Sequence, residues 1–262
     1  MCYFVQDEDE DFGDIGKINP TSKVTDSSLP SQKIDRAKIA HLSEQQQEEL
    51  LNLLDQFSEC FADRPGFCDF MQHEIHVGED FRPKRLRAYR VPENLKPAVR
   101  KEIQQMLDVG IIKPSKSEMA SPIVCVFKGK AGQDGVNIAV DYRYLNKHCE
   151  GDAYPLPNVD DVIQRVGKAN WISTLDLKGA YLNIPVEPEH QWLTAFVWDE
   201  GLYEFTRAPY GQKGSGCTFV RVLQQVLQPI EEFAEFVCRR YFGIFGFVAI
   251  PRSSYREIST GH

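Results

Sequence analysis

One carboxylate stands inside an otherwise apolar strand pattern, Trp171-Ile172-Ser173-Thr174-Leu175-Asp176-Leu177. A strand apolar on both faces is expected to be buried, and burying an aspartate there is costly unless it binds a cation or satisfies a nearby backbone group. The chain therefore needs a fold that brings Asp176 to a ligand, or a turn that Asp176 caps. Both readings stand on local sequence alone.

Around this segment the chain alternates between helical and extended patterns. Ser43 and Gln46 have capping-box spacing, and Leu50, Leu53, Leu54, Phe57 and Phe61 follow at helical intervals. A second helix is expected after Pro92, with Leu95, Val99, Ile103 and Met106 on one face, Pro97 near its start and Gly110 as its stop. Ser121 to Lys128 and Val136 to Arg143 read as two strands joined through the glycine-rich stretch 129–135, a hairpin. Ile184-Pro185-Val186 and Leu193 to Trp198 supply further strands, and a third helix from Cys217 carries Phe219, Leu223, Val226 and Ile230. This mixture predicts an α+β fold.

Residues 1–40 are acidic and then rich in Ser, Pro, Thr and Lys, with few apolar anchors, and are expected to be a disordered leader, with order beginning at His41. Residues 41–75 are expected to form a helical connecting segment. The seven cysteines are odd in number and contain no Cys-x-x-Cys pair, so reduced thiols are expected. Cys60, Cys68, His73 and His76 fit no common zinc-finger spacing. No apolar run is long enough for a membrane span, and Met1 to Glu10 lack the pattern of a signal peptide. An intracellular setting, cytoplasmic or nuclear, is the expectation.

The formal charge of −8 is unevenly spread. Six acids fall within residues 1–16, whereas residues 82–130 carry twelve lysines and arginines against four acids, a surplus of eight. Such a basic stretch suits a polyanion-binding face, and a merely solvated face accounts for it nearly as well.

Nine short blocks then occur in one order. They are Phe127-Lys128, Val140-Asp141-Tyr142-Arg143-Tyr144-Leu145-Asn146-Lys147, Tyr154-Pro155-Leu156-Pro157, Leu175 to Tyr181, Ile184 to Val186, Thr194 to Phe196, Gly201 to Phe205, Ala208-Pro209-Tyr210-Gly211 and Thr218-Phe219. Over about residues 42–235 this order resembles the reverse transcriptase region of gypsy-type long-terminal-repeat retrotransposon polyproteins. The resemblance implies the fingers and palm of a right-hand polymerase, spanning 76–235. It also implies RNA-templated DNA synthesis by two-metal nucleotidyl transfer, with a primer–template of RNA or DNA, deoxynucleotide triphosphates and Mg2+ as partners, and leaves the oligomeric state open.

By that resemblance Asp176 is the first catalytic, metal-binding aspartate. Tyr181 is the steric gate against a ribose 2′-hydroxyl, which a core aromatic would also explain. Gly179 and Ala180 let backbone approach a nucleotide. Tyr210 and Gly211 back the nucleotide and template, although a tight turn accounts for Gly211 almost as well. Lys128 and Lys130 are triphosphate contacts or solvated surface lysines. Arg85, Arg87, Arg90, Arg143 and Asn146 are candidates for nucleic-acid contact.

Two departures stand out. The family has an arginine four residues before Asp141, where this chain has Asn137. A neutral amide cannot replace the forked charged donor, at a cost of about 1.5–3 kcal/mol in nucleotide binding. The family's second catalytic block, Tyr-Val-Asp-Asp, is due near Phe236, yet no acid occurs between Glu235 and Glu257. Codons permitted for Phe236 onward, read one base out of frame, can encode Ser-Tyr-Val-Asp-Asp-Ile, which puts Arg239 and Arg240 where the two aspartates belong. One extra nucleotide near codon 236 is therefore expected, with 236–262 an out-of-frame tail. A palm without its catalytic hairpin, no thumb and no polymerase activity follow. Nucleic-acid binding without catalysis, or a decayed product without function, is the alternative.

Overall fold

The computed structural model describes residues 29–62, 64–127, 136–155, 164, 173–231, 234–239 and 244–249. Residues 30–39, the described end of the expected disordered leader, carry two short helical turns. Pro30–Lys33 forms a one-turn helix (α1), and a 3-10 turn follows over Arg36–Ile39. Asp35 caps that turn by accepting from the Ala37 N–H, and Ile39 packs with Leu42, Leu50 and Leu54. A few apolar residues suffice here because the next helix supplies the rest of the cluster.

That helix, α2 (Glu44–Gln56), opens with the reciprocal Ser43–Gln46 capping box. Leu50 and Leu54 are buried, but Phe57 and Phe61 are 45% and 37% exposed. The α-helix stops at Gln56 and gives way to a 3-10 turn over Ser58–Phe61, so the expected stripe loses its phase. α3 (Lys96–Asp108) carries Pro97 in its first turn and buries Val99 and Ile103, and Gly110 follows with φ 69°.

The first sheet has five strands in the order β1-β6-β5-β2-β3. These are β1 (Ile112–Pro114), β2 (Ser121–Phe127), β3 (Val136–Val140), β5 (Phe196–Trp198) and β6 (Gly201–Phe205). β2 and β3 pair antiparallel from Ile123↔Val140 to Phe127↔Val136, the expected hairpin. β3 ends at Val140, because Asp141 accepts the Arg143 N–H and starts the short helix α4 (Arg143–His148).

Two predicted strands are corrected. Ile184 to Val186 makes only single bridges, Pro185 to Arg207 and His73 to Val186, since a proline cannot sustain a ladder. Leu193 and Thr194 lie in a 3-10 segment that Pro188 begins, and β5 starts at Phe196. Helix α5 (Ser215–Leu227) buries Phe219 and Leu223, as its periodicity predicts.

Two apolar cores lie on either side of this frame. Val99, Ile103, Ile123 and Phe196 join α3 to the five-stranded sheet. Met119, Tyr142, Ala180, Ile184 and Phe219 join α4, the 180–186 segment and α5. Each large apolar side chain fully buried contributes about 1.5–3 kcal/mol, so these two clusters hold the cleft residues in place.

The second sheet has the order β4-β8-β7, with β4 (Ser173–Asp176), β7 (Ala234–Arg239) and β8 (Ile244–Ala249). The expected loss of the hairpin after α5 is thus corrected at the level of backbone. β7 and β8 pair antiparallel from Ala234↔Ala249 to Arg239↔Ile244, and β8 pairs with β4. Phe236, Val237, Ile244, Phe245, Phe247 and Val248 have high strand propensity, which is all that a ladder requires.

Candidate active site

Asp176 is the last residue of β4 and is exposed, rather than buried in mid-strand. The strand ends there because Lys178 and Gly179 turn the chain. Gly179 has φ 58°, a left-handed conformation in which a side chain is strained. The 3-10 turn Ala180–Asn183 follows, with Ala180 buried.

The turn sets Tyr181 against Tyr210 and Phe219. Its ring lies 5.1 Å from that of Tyr210 and 5.5 Å, edge-on, from that of Phe219. A Cβ added at Gly216 would stand 3.4 Å from the Tyr181 hydroxyl, so α5 approaches that hydroxyl closely. Burial raises the Tyr210 hydroxyl pKa, and the charge of Asp176 raises it further. Tyr181 and Tyr210, far apart in sequence, therefore meet at one site, and Asp176 lies within electrostatic reach of it.

Gly211 has φ 83° and its carbonyl accepts from Asn146 Nδ2 at 2.8 Å. The other end of that amide, Asn146 Oδ1, accepts the Lys213 N–H at 2.7 Å. Asn146 thus uses its side chain to hold the 211–213 loop, a role that sequence reasoning missed. Arg143, exposed, donates twice to Asp141, and Tyr89 donates to the same carboxylate at 2.8 Å. The Arg143 hydrogen bonds hold the Asp141 carboxyl well below the ordinary aspartate range. Arg85, Arg87 and Arg90 are exposed, and Arg85 donates to the Ser117 carbonyl at 3.3 Å. Lys128 and Lys130 lie outside the described residues. Asn137, exposed on β3, pairs with Val126.

The resemblance implies a two-metal site around Asp176. Asp176 pairs with Gly246, and Gly246 with Val237, so Arg239 stands two residues along β7 from the position level with Asp176. Among the described residues no group of three His, Cys, Asp or Glu side chains could hold a metal ion. One carboxylate is too few for a two-metal centre, which needs several hard oxygen ligands. The described residues do not fit the group. Among the described residues no helix is long and apolar enough to cross a membrane.

Residues 132–242 match the family model described as reverse transcriptase (RNA-dependent DNA polymerase). The chain is similar to the retrovirus-related Pol polyprotein from transposon 297 of Drosophila melanogaster, 27% identical over 218 residues, which is 80% of this chain and 20% of the relative. It is 34% identical over 152 residues to that from transposon gypsy of the same organism, covering 57% of this chain and 15% of the relative. The chain spans about a fifth or less of the length of these curated relatives. Among solved structures it is similar to the foamy viral protease–reverse transcriptase in complex with RNA/DNA hybrid, with a TM-score of 0.72 and 22% identity over 93% of this chain and 32% of that one. The family match over residues 132–242 and these relatives together identify a reverse transcriptase region of the gypsy-type retrotransposon kind in this chain.

Proposed function

We propose that this chain is a retrotransposon reverse transcriptase fragment that no longer carries out nucleotidyl transfer. The family works with divalent metal, and Mg2+ is the ion expected of an intact site. The observation that carries the proposal is the register of the second sheet. Asp176 ends β4 exposed, while the neighbouring segment 234–249 has Glu235 as its sole acid and Arg239 at the end of β7. Cationic residues near Asp176 would repel divalent ions rather than recruit them. A single inserted nucleotide near codon 236 accounts for this sequence, and 236–262 is then an out-of-frame tail that still pairs as strands.

Primer extension on an RNA template with Mg2+ or Mn2+ tests the reading. No product is expected, and extension by the purified chain would overturn it. Genomic reads across codons 230–262 test the insertion, and codons incompatible with the shifted reading would remove it.

A second reading is favoured by the exposed arginines Arg85, Arg87, Arg90 and Arg143. They suit a fragment that retains nucleic-acid binding without catalysis. Its signature is a primer–template affinity that falls steeply with salt, because phosphate contacts release counterions.

A further inference from the structure

Residues 64–76 contain no regular element, yet they are fastened to the cleft at two places. At the first, the Gly66 N–H donates to Asn183 Oδ1 at 2.6 Å and the Cys68 N–H to the Asn183 carbonyl at 2.8 Å. The Asn183 amide nitrogen in turn lies 3.0–3.1 Å from the carbonyl oxygens of Lys178, Gly179 and Ala180. Those three carbonyls belong to the turn that links Asp176 to Tyr181. Arg207, mostly buried, lies over the Phe67 ring at 4.0 Å and closes the same anchor.

At the second place His73 is 1% exposed. Its backbone N–H donates to the Pro185 carbonyl at 2.7 Å, and its carbonyl accepts the Glu187 N–H. Its ring is bonded on both sides: Nε2 lies 2.8 Å from Gln212 Oε1, and Nδ1 lies 2.8 Å from Thr218 Oγ1. An amide oxygen only accepts, so Nε2 carries the proton and Nδ1 accepts from the Thr218 hydroxyl. Gln212 Oε1 also accepts from Ser215, and Gly214, with φ 101°, packs against the His73 ring. His73 therefore fixes the loop after Tyr210 and Gly211 together with the first turn of α5.

We propose that residues 64–76 are a positioning strap of the cleft, in which Asn183 sets the turn between Asp176 and Tyr181 and His73 sets the loop carrying Tyr210 and Gly211. The reverse transcriptase unit then starts at residue 64, inside the segment that composition alone assigns to a connector. Polar groups this deeply buried are costly unless satisfied, and here both bonds of the ring go to the 212–218 segment. The proposal rests on reading Asp176, Tyr181 and Tyr210 as cleft residues, but neither anchor needs metal, nucleotide or template to exist.

Hydrogen–deuterium exchange on the full chain, without ligands, tests it. Thr218→Val keeps the side-chain volume and removes the hydroxyl that His73 accepts from. Exchange of residues 210–216 should quicken roughly tenfold or more, and Thr218→Ser should restore the parental rate. Asn183→Ala should do the same for residues 177–181. α3 should keep its parental exchange in each variant. Unchanged rates in both windows overturn the proposal, as does equal acceleration in α3, which would mean a general loss of stability. Primer extension plays no part in this readout, so its failure and the failure of the functional reading are separable.

Discussion

Pro65 stands over Gly179 so closely that a Cβ built on the glycine would come within 2.7 Å of the proline Cγ. Two penalties therefore meet at one residue, since Gly179 also has φ 58°. A left-handed residue other than glycine costs about 1–2 kcal/mol, and the contact with Pro65 adds to it. Gly179→Ala should lower stability by at least that amount in urea denaturation. Gly151 is exposed and has nothing within 4 Å of an added Cβ, so Gly151→Ala should be nearly neutral.

His73 should make the fold acid-sensitive. Burial lowers its pKa, so the folded chain holds it neutral while the unfolded chain binds a proton near pH ~6.5. The unfolded state therefore takes up more protons, and stability should fall as pH drops through the ordinary histidine range towards the lowered folded value. Denaturation midpoints measured from pH 7.5 to 5 should show this fall, and it should shrink in His73→Phe.

Ile39→Ala tests whether order extends upstream of His41. Ile39 is 2% exposed in the cluster with Leu42, Leu50 and Leu54. Truncating it should cost about 2–4 kcal/mol, read as faster amide exchange in α2. An unaffected α2 would mean that the 30–39 segment does not pack there in solution.

Arg85, Arg87 and Arg90 are tested by salt. If they touch phosphates, replacing all three with alanine should flatten the slope of log affinity for a primer–template duplex against log salt. The slope should change by about 0.9 for each phosphate that is no longer neutralised. An unaltered slope would leave these arginines as solvated surface.

Legibility followed range of interaction. α2, α3, α5 and the β2–β3 hairpin were readable because their caps, periodicity and turn residues are local. The end of α2 was not, because Phe57 and Phe61 continue the pattern of Leu50 and Leu54 after the helix has stopped. Ile184 to Val186 reads as a strand by residue type, and only the missing N–H of Pro185 and its neighbours in space decide otherwise. Of the candidate site, Asp176, Tyr181 and Tyr210 carry motif signals, and the rings of Tyr181 and Tyr210 meet. Asn146 and His73 act through groups remote in sequence, and Asn183 joins its own turn to the distant Gly66 and Cys68, which nothing local signals.

The middle strand of the second sheet, β8, has no ionisable side chain, and yet it aligns β4 and β7 on either side of it. Hydrogen-bond ladders recognise main chain, so a scaffold of this kind can be rebuilt from almost any run of strand-prone residues. Catalysis has no such tolerance, because it depends on a few atoms of fixed identity. A change of reading frame through such a segment would therefore replace every side chain it carries and still leave a ladder of strand-prone residues.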